Sequence, residues 1–370
     1  MRGILKKVSF NRSIKPTREG LGFILLTLAT GTAAINTGNN LLYLILAAML
    51  SMIIVSGILS EWSLRGIDAA RRLPQHIFAS KSFPLRIAVT NSKRFLSSFS
   101  LVLKEKTKIS GQGEVRLFRI PPHYTSYASY DASFERRGRH ILEGFIISTL
   151  FPFGFFIKSL KRSSSSYVIV YPRIDRLPES IKEELSTTGN ISEEKHKGRG
   201  STLYNIRDYR AGEDTRSIHW KSSARQSRLM LKEFEKEEER TINLFLFNSL
   251  SGEGPIRNED MDIFEKGVEI TASLASYLLN KHFSIGLFTL DRFTPPSSGT
   301  KHLYRILEEL ALLDIKEAKG RNLKQESIGL IFKRLAQYNG TNILILPWDS
   351  GEIAKIETLF HKILRIGGHA

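Results

Sequence analysis

Along the chain the hydrophobic period changes twice, and each change predicts a different architecture. Gly20 to Leu59 carries no charge, and the polar stretch Ile35–Asn40 divides it into Gly20–Ala34 and Leu41–Ser60. A bilayer crossing needs about 20 residues at about 1.5 Å each, so the pattern predicts two helices joined by a tight polar turn, a transmembrane hairpin. The first half is short and diluted by Gly22, Gly31, Thr27, Thr30, Thr32 and Thr37. It must therefore borrow part of the turn to span, and its small residues suit close packing against the second helix. From Ile67 to Tyr171 the period is two. Leu85, Ile87 and Val89 alternate, as do Leu101 and Leu103, with further runs at Val115–Ile120, Tyr124–Phe134 and Ile141–Ser148. Short strands separated by Asn91-Ser92, Gly111-Gln112-Gly113, Pro121-Pro122 and Arg137-Gly138 predict a β-sandwich.

Beyond Tyr171 strand and helix alternate. Ile242–Phe247 reads as a buried strand, Met261–Leu279 as a helix, Ser284–Leu290 as a strand, and Leu303–Leu310 and Leu323–Leu335 as helices. Ile343–Leu346 reads as a strand and Ile353–Leu364 as a closing helix. That order implies a parallel sheet with right-handed crossovers, whose ligand surface lies at the carboxyl ends of the strands. The loops at that end are Asn248–Gly254, Asp291–Gly299 and Pro347–Gly351. The expected organisation is thus multidomain: a basic N-terminus and transmembrane hairpin (1–65), a β-sandwich (66–170), a polar segment (171–240) and an α/β domain of Rossmann type (241–370).

Charge orients the hairpin. Arg2, Lys6, Lys7, Arg12, Lys15 and Arg18 precede it, Arg65, Arg71 and Arg72 follow it, and the turn has no basic residue. The positive-inside rule then places both termini, and all of Ile67–Ala370, in the cytoplasm, with the hairpin in the inner (plasma) membrane. Two other readings of the N-terminus stand beside it. One is a cleaved signal peptide ending near Gly31-Thr32-Ala33, the other a buried soluble hairpin.

Composition narrows the chemistry. The 370 residues contain no cysteine, which removes disulfides, thiolate zinc sites, iron–sulfur clusters and cysteine nucleophiles. A net charge of +17 admits an anionic partner, lipid or nucleic acid. The acidic run Glu233–Glu239 speaks against a nucleic-acid surface near it. Gly-x-Ser-x-Gly, His-Glu-x-x-His and the phosphate-binding Gly-x-x-x-x-Gly-Lys-Ser/Thr are all absent, so no enzyme is expected. Ser163–Ser166 reads as a solvated hairpin tip.

The densest polar pattern is Tyr204–Arg225, which interleaves Arg207, Arg210, Arg216, Lys221 and Arg225 with Asp208, Glu213 and Asp214, and contains Tyr209, Gly212, His219 and Trp220. Arginine forks two hydrogen bonds to a carboxylate, so such interleaving can lock an irregular loop from within, present a surface to an acidic partner, or bind nucleic acid through Arg and stacking aromatics. The first alternative predicts that Asp214, Arg216 and Trp220 are buried and that His219 is packed and neutral.

The pattern Arg207-x-Tyr209-x-x-Gly212-Glu213-Asp214-x-Arg216-x-Ile218-x-Trp220-Lys221-x-Ser223-Ala224-Arg225 resembles the signature of the bacterial DUF58 proteins, membrane-anchored relatives of the von Willebrand factor A domain. Arg136-Arg137-Gly138, Phe151-Pro152-Phe153-Gly154-Phe155-Phe156, Tyr171-Pro172-Arg173 and Pro295-Pro296-x-x-Gly299 extend the likeness. The family usually has Asp where this chain has His219. The resemblance implies a von Willebrand A-like α/β domain, a MoxR-type AAA+ ATPase and other membrane proteins as partners, and no catalytic residue. A domains hold Mg²⁺ with Asp-x-Ser-x-Ser after the first strand, and the corresponding place here reads Asn248-Ser249-Leu250-Ser251-Gly252. With an amide for the anionic ligand, a degenerate cation loop and no bound metal are expected, unless Asp291 or Asp349 converges on it. The competing function class is a cation-dependent adhesion or ligand-binding module.

Overall fold

The structure, a computed structural model, describes residues 12–107, 109–111, 113–186, 197–210, 213–235, 241–250, 256–317, 337–338, 340–348 and 357–366. The chain divides into two units, Met1–Tyr171 and Pro172–Ala370.

The first unit opens with strand β1 (Arg12–Pro16) and helices α1 (Arg18–Thr37) and α2 (Asn40–Leu64). Thr17 caps α1 by accepting the Gly20 N–H at 2.9 Å, and Asn39 caps α2 by accepting from Leu41 at 2.9 Å. Gly38, at φ 64°, supplies the left-handed turn between them, a conformation open to a residue without Cβ. The helix α1 therefore runs three residues into the stretch expected as turn, which brings it to 20 residues, about 30 Å. Its threonines are satisfied locally: the hydroxyls of Thr27, Thr30 and Thr37 donate to the carbonyls of Phe23, Leu26 and Ala33 at 2.7, 2.9 and 2.8 Å. Buried positions recur every seven residues, at Gly20, Thr27 and Ala34 on α1 and at Met49, Ser56 and Ser63 on α2. Seven-residue spacing suits a seam between the two helices at Thr27, Ala34 and Ser56, while Gly20 and Ser63 at the helix ends are covered by Phe155 and Phe99 of the sheets. Leu21, Leu28, Leu44 and Ile54 face outward, and both helices are long and apolar enough to cross a membrane.

The rest of this unit is β2 (Ile67–Arg72), β3 (Ile77–Phe78), β4 (Phe83–Asn91), β5 (Ser98–Glu105), β6 (Ser110–Gly111), β7 (Glu114–Ile120), β8 (Thr125–Ser133), β9 (Gly138–Thr149) and β10 (Phe156–Tyr171). One sheet runs β1-β10-β9-β5-β7 with β3 parallel to the end of β10, and the other runs β2-β4-β8-β6. Leu85, Ile87 and Val89 of one sheet share a core with Leu101, Leu103, Phe145 and Ile147 of the other, as period-two alternation requires. Within it Arg71 forks onto Glu105 through two 2.8 Å bonds, with side chains only 4% and 2% exposed. Ser163–Ser166 is not a hairpin tip. It lies inside β10, where a bulge between Ser163 and Ser166 absorbs the irregular register, and the turn falls instead between β9 and β10 at Phe151-Pro152-Phe153-Gly154.

The second unit contains α3 (Glu179–Ser186), β11 (Lys197–Asp208), a 3₁₀ turn (Thr215–Ser217), α4 (Trp220–Gln226), β12 (Met230–Glu235), β13 (Thr241–Leu246), β14 (Ser249–Leu250), α5 (Asn258–Asn280), β15 (Ser284–Phe288), β16 (Phe293–Ser297), α6 (Thr300–Ala311), β17 (Lys316–Glu317), β18 (Thr341–Leu346) and β19 (Lys362–Arg365). Strands β15, β13, β18 and β19 are parallel neighbours, with β16 antiparallel on the β15 edge. The continuous burial of Ile242–Leu246 matches a strand covered on both faces. Two expectations change here. Asp291–Gly299 is not all loop, because β16 pairs at the edge, where Pro295 and Pro296 cost no central ladder bond. Over 357–365, the described part of the expected closing helix, the chain forms a 3₁₀ turn at Glu357–Leu359 and strand β19 instead, because a short apolar run such as Ile363-Leu364 fits either period and the edge of β18 recruits it; residues 353–356 lie outside the described residues. The helix expected over 323–335 lies outside the described residues.

Candidate functional site

Two constellations carry the candidate residues. The first is built on the antiparallel pair β11–β12. The 3₁₀ turn and α4 lie in the connection between these strands, and the chain returns through Ile218, bridged to Leu231. Arg207 at the end of β11 forks onto both carboxylate oxygens of Glu213, one bond at 2.9 Å, and donates a third bond to the Asp208 carbonyl. Glu213 also accepts the Arg210 N–H at 2.9 Å, while the Tyr209 hydroxyl donates to the Glu213 carbonyl at 3.1 Å. The Arg207 bond above all, and then the Arg210 N–H, hold the Glu213 carboxyl down to about 2. This half of the motif is an internal lock.

The other half is not. Asp214, Arg216 and Trp220 are exposed, Trp220 to 67% of its surface, and the expectation that they are buried is wrong. Balanced charge signalled a closed network, but only Glu213 faces inward. Asp214 uses its carboxylate to cap the 3₁₀ turn, accepting the Arg216 N–H at 3.0 Å. His219 caps α4: its Nδ1 accepts the Ser222 N–H at 3.2 Å and lies 2.7 Å from the Ser222 hydroxyl. That is the acceptor role an aspartate would fill at this position, and it requires Nδ1 to be unprotonated. Ser223 ties the helix back, donating to the His219 carbonyl and accepting from Met230. Anchored by Ile218, Ser223 and Met230, α4 presents its other face to solvent. Lys221 and Arg225 lie one turn apart on it, and Ala224 follows Trp220 by four, leaving the indole uncovered. The exposed Leu229 stands just beyond the turn at Ser227.

The segment 207–228 holds six cations (Arg207, Arg210, Arg216, Lys221, Arg225, Arg228) and three acids (Asp208, Glu213, Asp214). Glu213 takes Arg207, and Asp208 takes Arg228 at 3.2 Å. Arg210, Arg216, Lys221 and Arg225 form ion pairs with none of the described residues and leave a cationic surface around Trp220. Charge counting across the motif finds this surface only when the lock is subtracted. Arg228 and the exposed Leu229 lie just past Arg225, beyond the span of the motif, and so carried no sequence signal. Gly212 lies outside the described residues.

The second constellation sits at the carboxyl ends of β13, β15 and β18. Asn248 is fully buried. Its amide donates to Asp291 Oδ1 at 3.2 Å and to the Asp314 carbonyl at 3.1 Å, and its Oδ1 accepts the Leu290 N–H at 3.2 Å. Ser249 is buried in β14, paired with β17, and its carbonyl accepts the Trp348 indole N–H at 2.8 Å. Asp291 does converge on Asn248, but Lys316 Nζ lies 3.6 Å from its other oxygen. These groups do not fit a divalent cation. A hard ion wants converging oxygens with net negative charge, whereas here an N–H₂ donor and an ammonium already occupy the one carboxylate. Ser251 and Asp349 lie outside the described residues. Among the described residues no three His, Asp or Glu side chains gather as a metal site.

Known proteins place the chain only by likeness. Residues 205–336 match the family model described as "Protein of unknown function DUF58". The chain is also 26% identical over 302 residues to "Uncharacterized protein YeaD" of Bacillus subtilis (strain 168), an alignment spanning 78% of this chain and 73% of that protein. The signature segment and most of the chain around it are therefore similar to proteins whose function is itself undescribed.

Proposed function

We propose that this chain is a membrane-anchored, non-enzymatic interaction protein. A two-pass hairpin in the inner membrane holds a β-sandwich and a von Willebrand A-like unit in the cytoplasm, and the Trp220 surface docks an acidic face of a partner. The partner suggested by the resemblance is a MoxR-type AAA+ ATPase, acting with other membrane proteins. One observation carries the reading: the Arg207–Glu213 lock fixes the loop while Trp220 and four cations stay uncommitted. Trp and Arg are enriched among the residues that carry interface binding energy, Trp through a large rigid ring and Arg through a planar fork of donors that matches a carboxylate. The hairpin reading is supported by the two apolar helices and the basic residues outside both ends.

The cation-dependent alternative draws on the approach of Asp291 to Asn248, and the donor set there speaks against it. Co-purification with and without EDTA separates the two. Docking through Trp220 is indifferent to chelator and lost in Trp220→Ala, whereas the alternative predicts the reverse. Reporter fusions test topology: a phosphatase after Ala370 should be inactive and one inserted at Gly38 active.

A further inference from the structure

The hairpin does not tether the sheets through a linker. At the end of α2, Ser63 donates to the Phe99 carbonyl at 2.9 Å and accepts the Phe99 N–H at 3.0 Å. Lys93 donates to the carbonyls of Ser63 and Arg65 at 3.3 and 3.0 Å, and Leu64 is buried in the sheet core. At the start of α1, the Thr17 hydroxyl donates to the Gly154 carbonyl at 2.7 Å and Phe23 stacks on Phe155 at 4.3 Å. A Cβ on Gly20 would meet the Phe155 carbonyl oxygen at 1.9 Å, so this contact is possible only with glycine. Both helix ends are thus fastened to the same end of the unit, formed by the β4–β5 loop, the β9–β10 turn and the close of β7.

That end carries an exposed apolar rim. Phe95 is 79% exposed and Phe118 86%, with Leu96 and Phe153 also open. Arg94 lies over the Phe95 ring, and Arg119, opposite Phe99 in register, reaches Ser97. The loop Ser92–Ser97 holds Lys93 and Arg94 and no acid. A helix of 25 residues exceeds the roughly 20 needed for the hydrocarbon core, so Glu61–Leu64 fall in the headgroup layer, and Trp62 suits that depth. The β4–β5 loop, held to Ser63 and Arg65 by Lys93, then lies at the same level.

We propose that this rim is a membrane seat: Phe95, Leu96, Phe118 and Phe153 enter the interface of an anionic leaflet, with Arg94 and Arg119 on lipid phosphates. It rests on the two-pass reading of α1 and α2. Continuity with the spanning helices and the sign of the charge select lipid as occupant. The seat fixes the sheet unit against the bilayer surface.

The cysteine-free chain makes the test clean. Single nitroxide labels are attached at Phe95→Cys, at Ile45→Cys within α2 and at Ile141→Cys, an exposed position at the far end of β9. The full chain is reconstituted into phosphatidylcholine vesicles with about one-third phosphatidylserine. The seat predicts Ile45 deep, Phe95 at headgroup depth and Ile141 aqueous. In Arg94→Gln/Arg119→Gln the ratio of membrane-inserted to free Phe95 label should fall about 25-fold, since each cation near an anionic surface contributes about a factor of five to that equilibrium. Pure phosphatidylcholine should act likewise. An aqueous Phe95 beside a deep Ile45 overturns the seat, leaves the anchor standing and gives the loop to a protein partner. An aqueous Ile45 overturns both. Insertion indifferent to phosphatidylserine and to the arginines overturns the recognition of anionic lipid.

Discussion

Replacing Asn248 by Asp exchanges an N–H₂ group for an oxygen at a fully buried position, and the structure fixes what that oxygen meets. It faces Asp291 Oδ1 at 3.2 Å and the Asp314 carbonyl at 3.1 Å, where the amide had donated two hydrogen bonds. Two carboxylates about 4 Å apart repel by about 4 kcal/mol at an effective dielectric constant near 20. Two lost bonds add about 2 kcal/mol, while the Leu290 N–H and Lys316 return about 1–2 kcal/mol by facing a charge. The net cost is about 4–5 kcal/mol, or about 8–20 °C for a unit of this size. Thermal unfolding of the detergent-solubilised full chain measures it. Magnesium should leave the wild type unchanged and give no saturable heat, but should recover part of the loss in Asn248→Asp, because only the variant offers converging anionic oxygens. A variant as stable as wild type without cation would refute the view of Asn248 as a structural pin. Stoichiometric Mg²⁺ binding by the wild type would revive the cation-dependent class.

Three further outcomes follow from the geometry. His219→Ala should cost about 0.5–2 kcal/mol by removing the α4 cap, and His219→Asp should restore it, both read by denaturant unfolding. The Glu213 carboxyl should titrate near 2 by NMR and return towards its ordinary value in Arg207→Gln. Because its folded value is depressed, the stability it contributes is complete above the ordinary carboxylate range and is lost as pH falls towards 2, so an acid transition that Arg207→Gln leaves unchanged would count against the lock. Arg71→Ala should lower stability by about 3–5 kcal/mol by stranding the buried Glu105 carboxylate, whereas Arg71→Met/Glu105→Leu should recover most of it.

Much of the fold was legible because burial imposes a period. The strands around Leu85–Val89 and Ile242–Leu246 and the helices over Asn258–Asn280 and Thr300–Ala311 stand where the apolar spacing puts them. The misses share a cause, the power of a neighbour to decide what local sequence leaves open. Ile363-Leu364 becomes a strand because β18 has a free edge, and Ser163–Ser166 becomes strand because a bulge lets β10 continue along β9. At the site, alternating charge in Arg207–Arg225 was visible, but which acid turns inward was not. The turn after β11 brings Glu213 back onto Arg207, while α4 is anchored to β12 by Ser223 and leaves Trp220 outside. Likewise the sequence displayed Asn248 as a missing ligand, whereas the arrival of Asp291, Asp314 and Lys316 from distant parts of the chain makes it a pin.

The central claim, docking through the Trp220 surface, is tested most directly by the affinity of the purified full-length chain for a MoxR-type AAA+ ATPase from the same organism, measured by surface plasmon resonance in detergent with EDTA present. Trp220→Ala and Arg216→Glu should each weaken binding about 30-fold or more, the mark of an interface anchor, with the melting temperature unchanged because neither side chain is buried. Wild-type affinity retained in both variants, or no measurable binding by the wild type, would contradict the account.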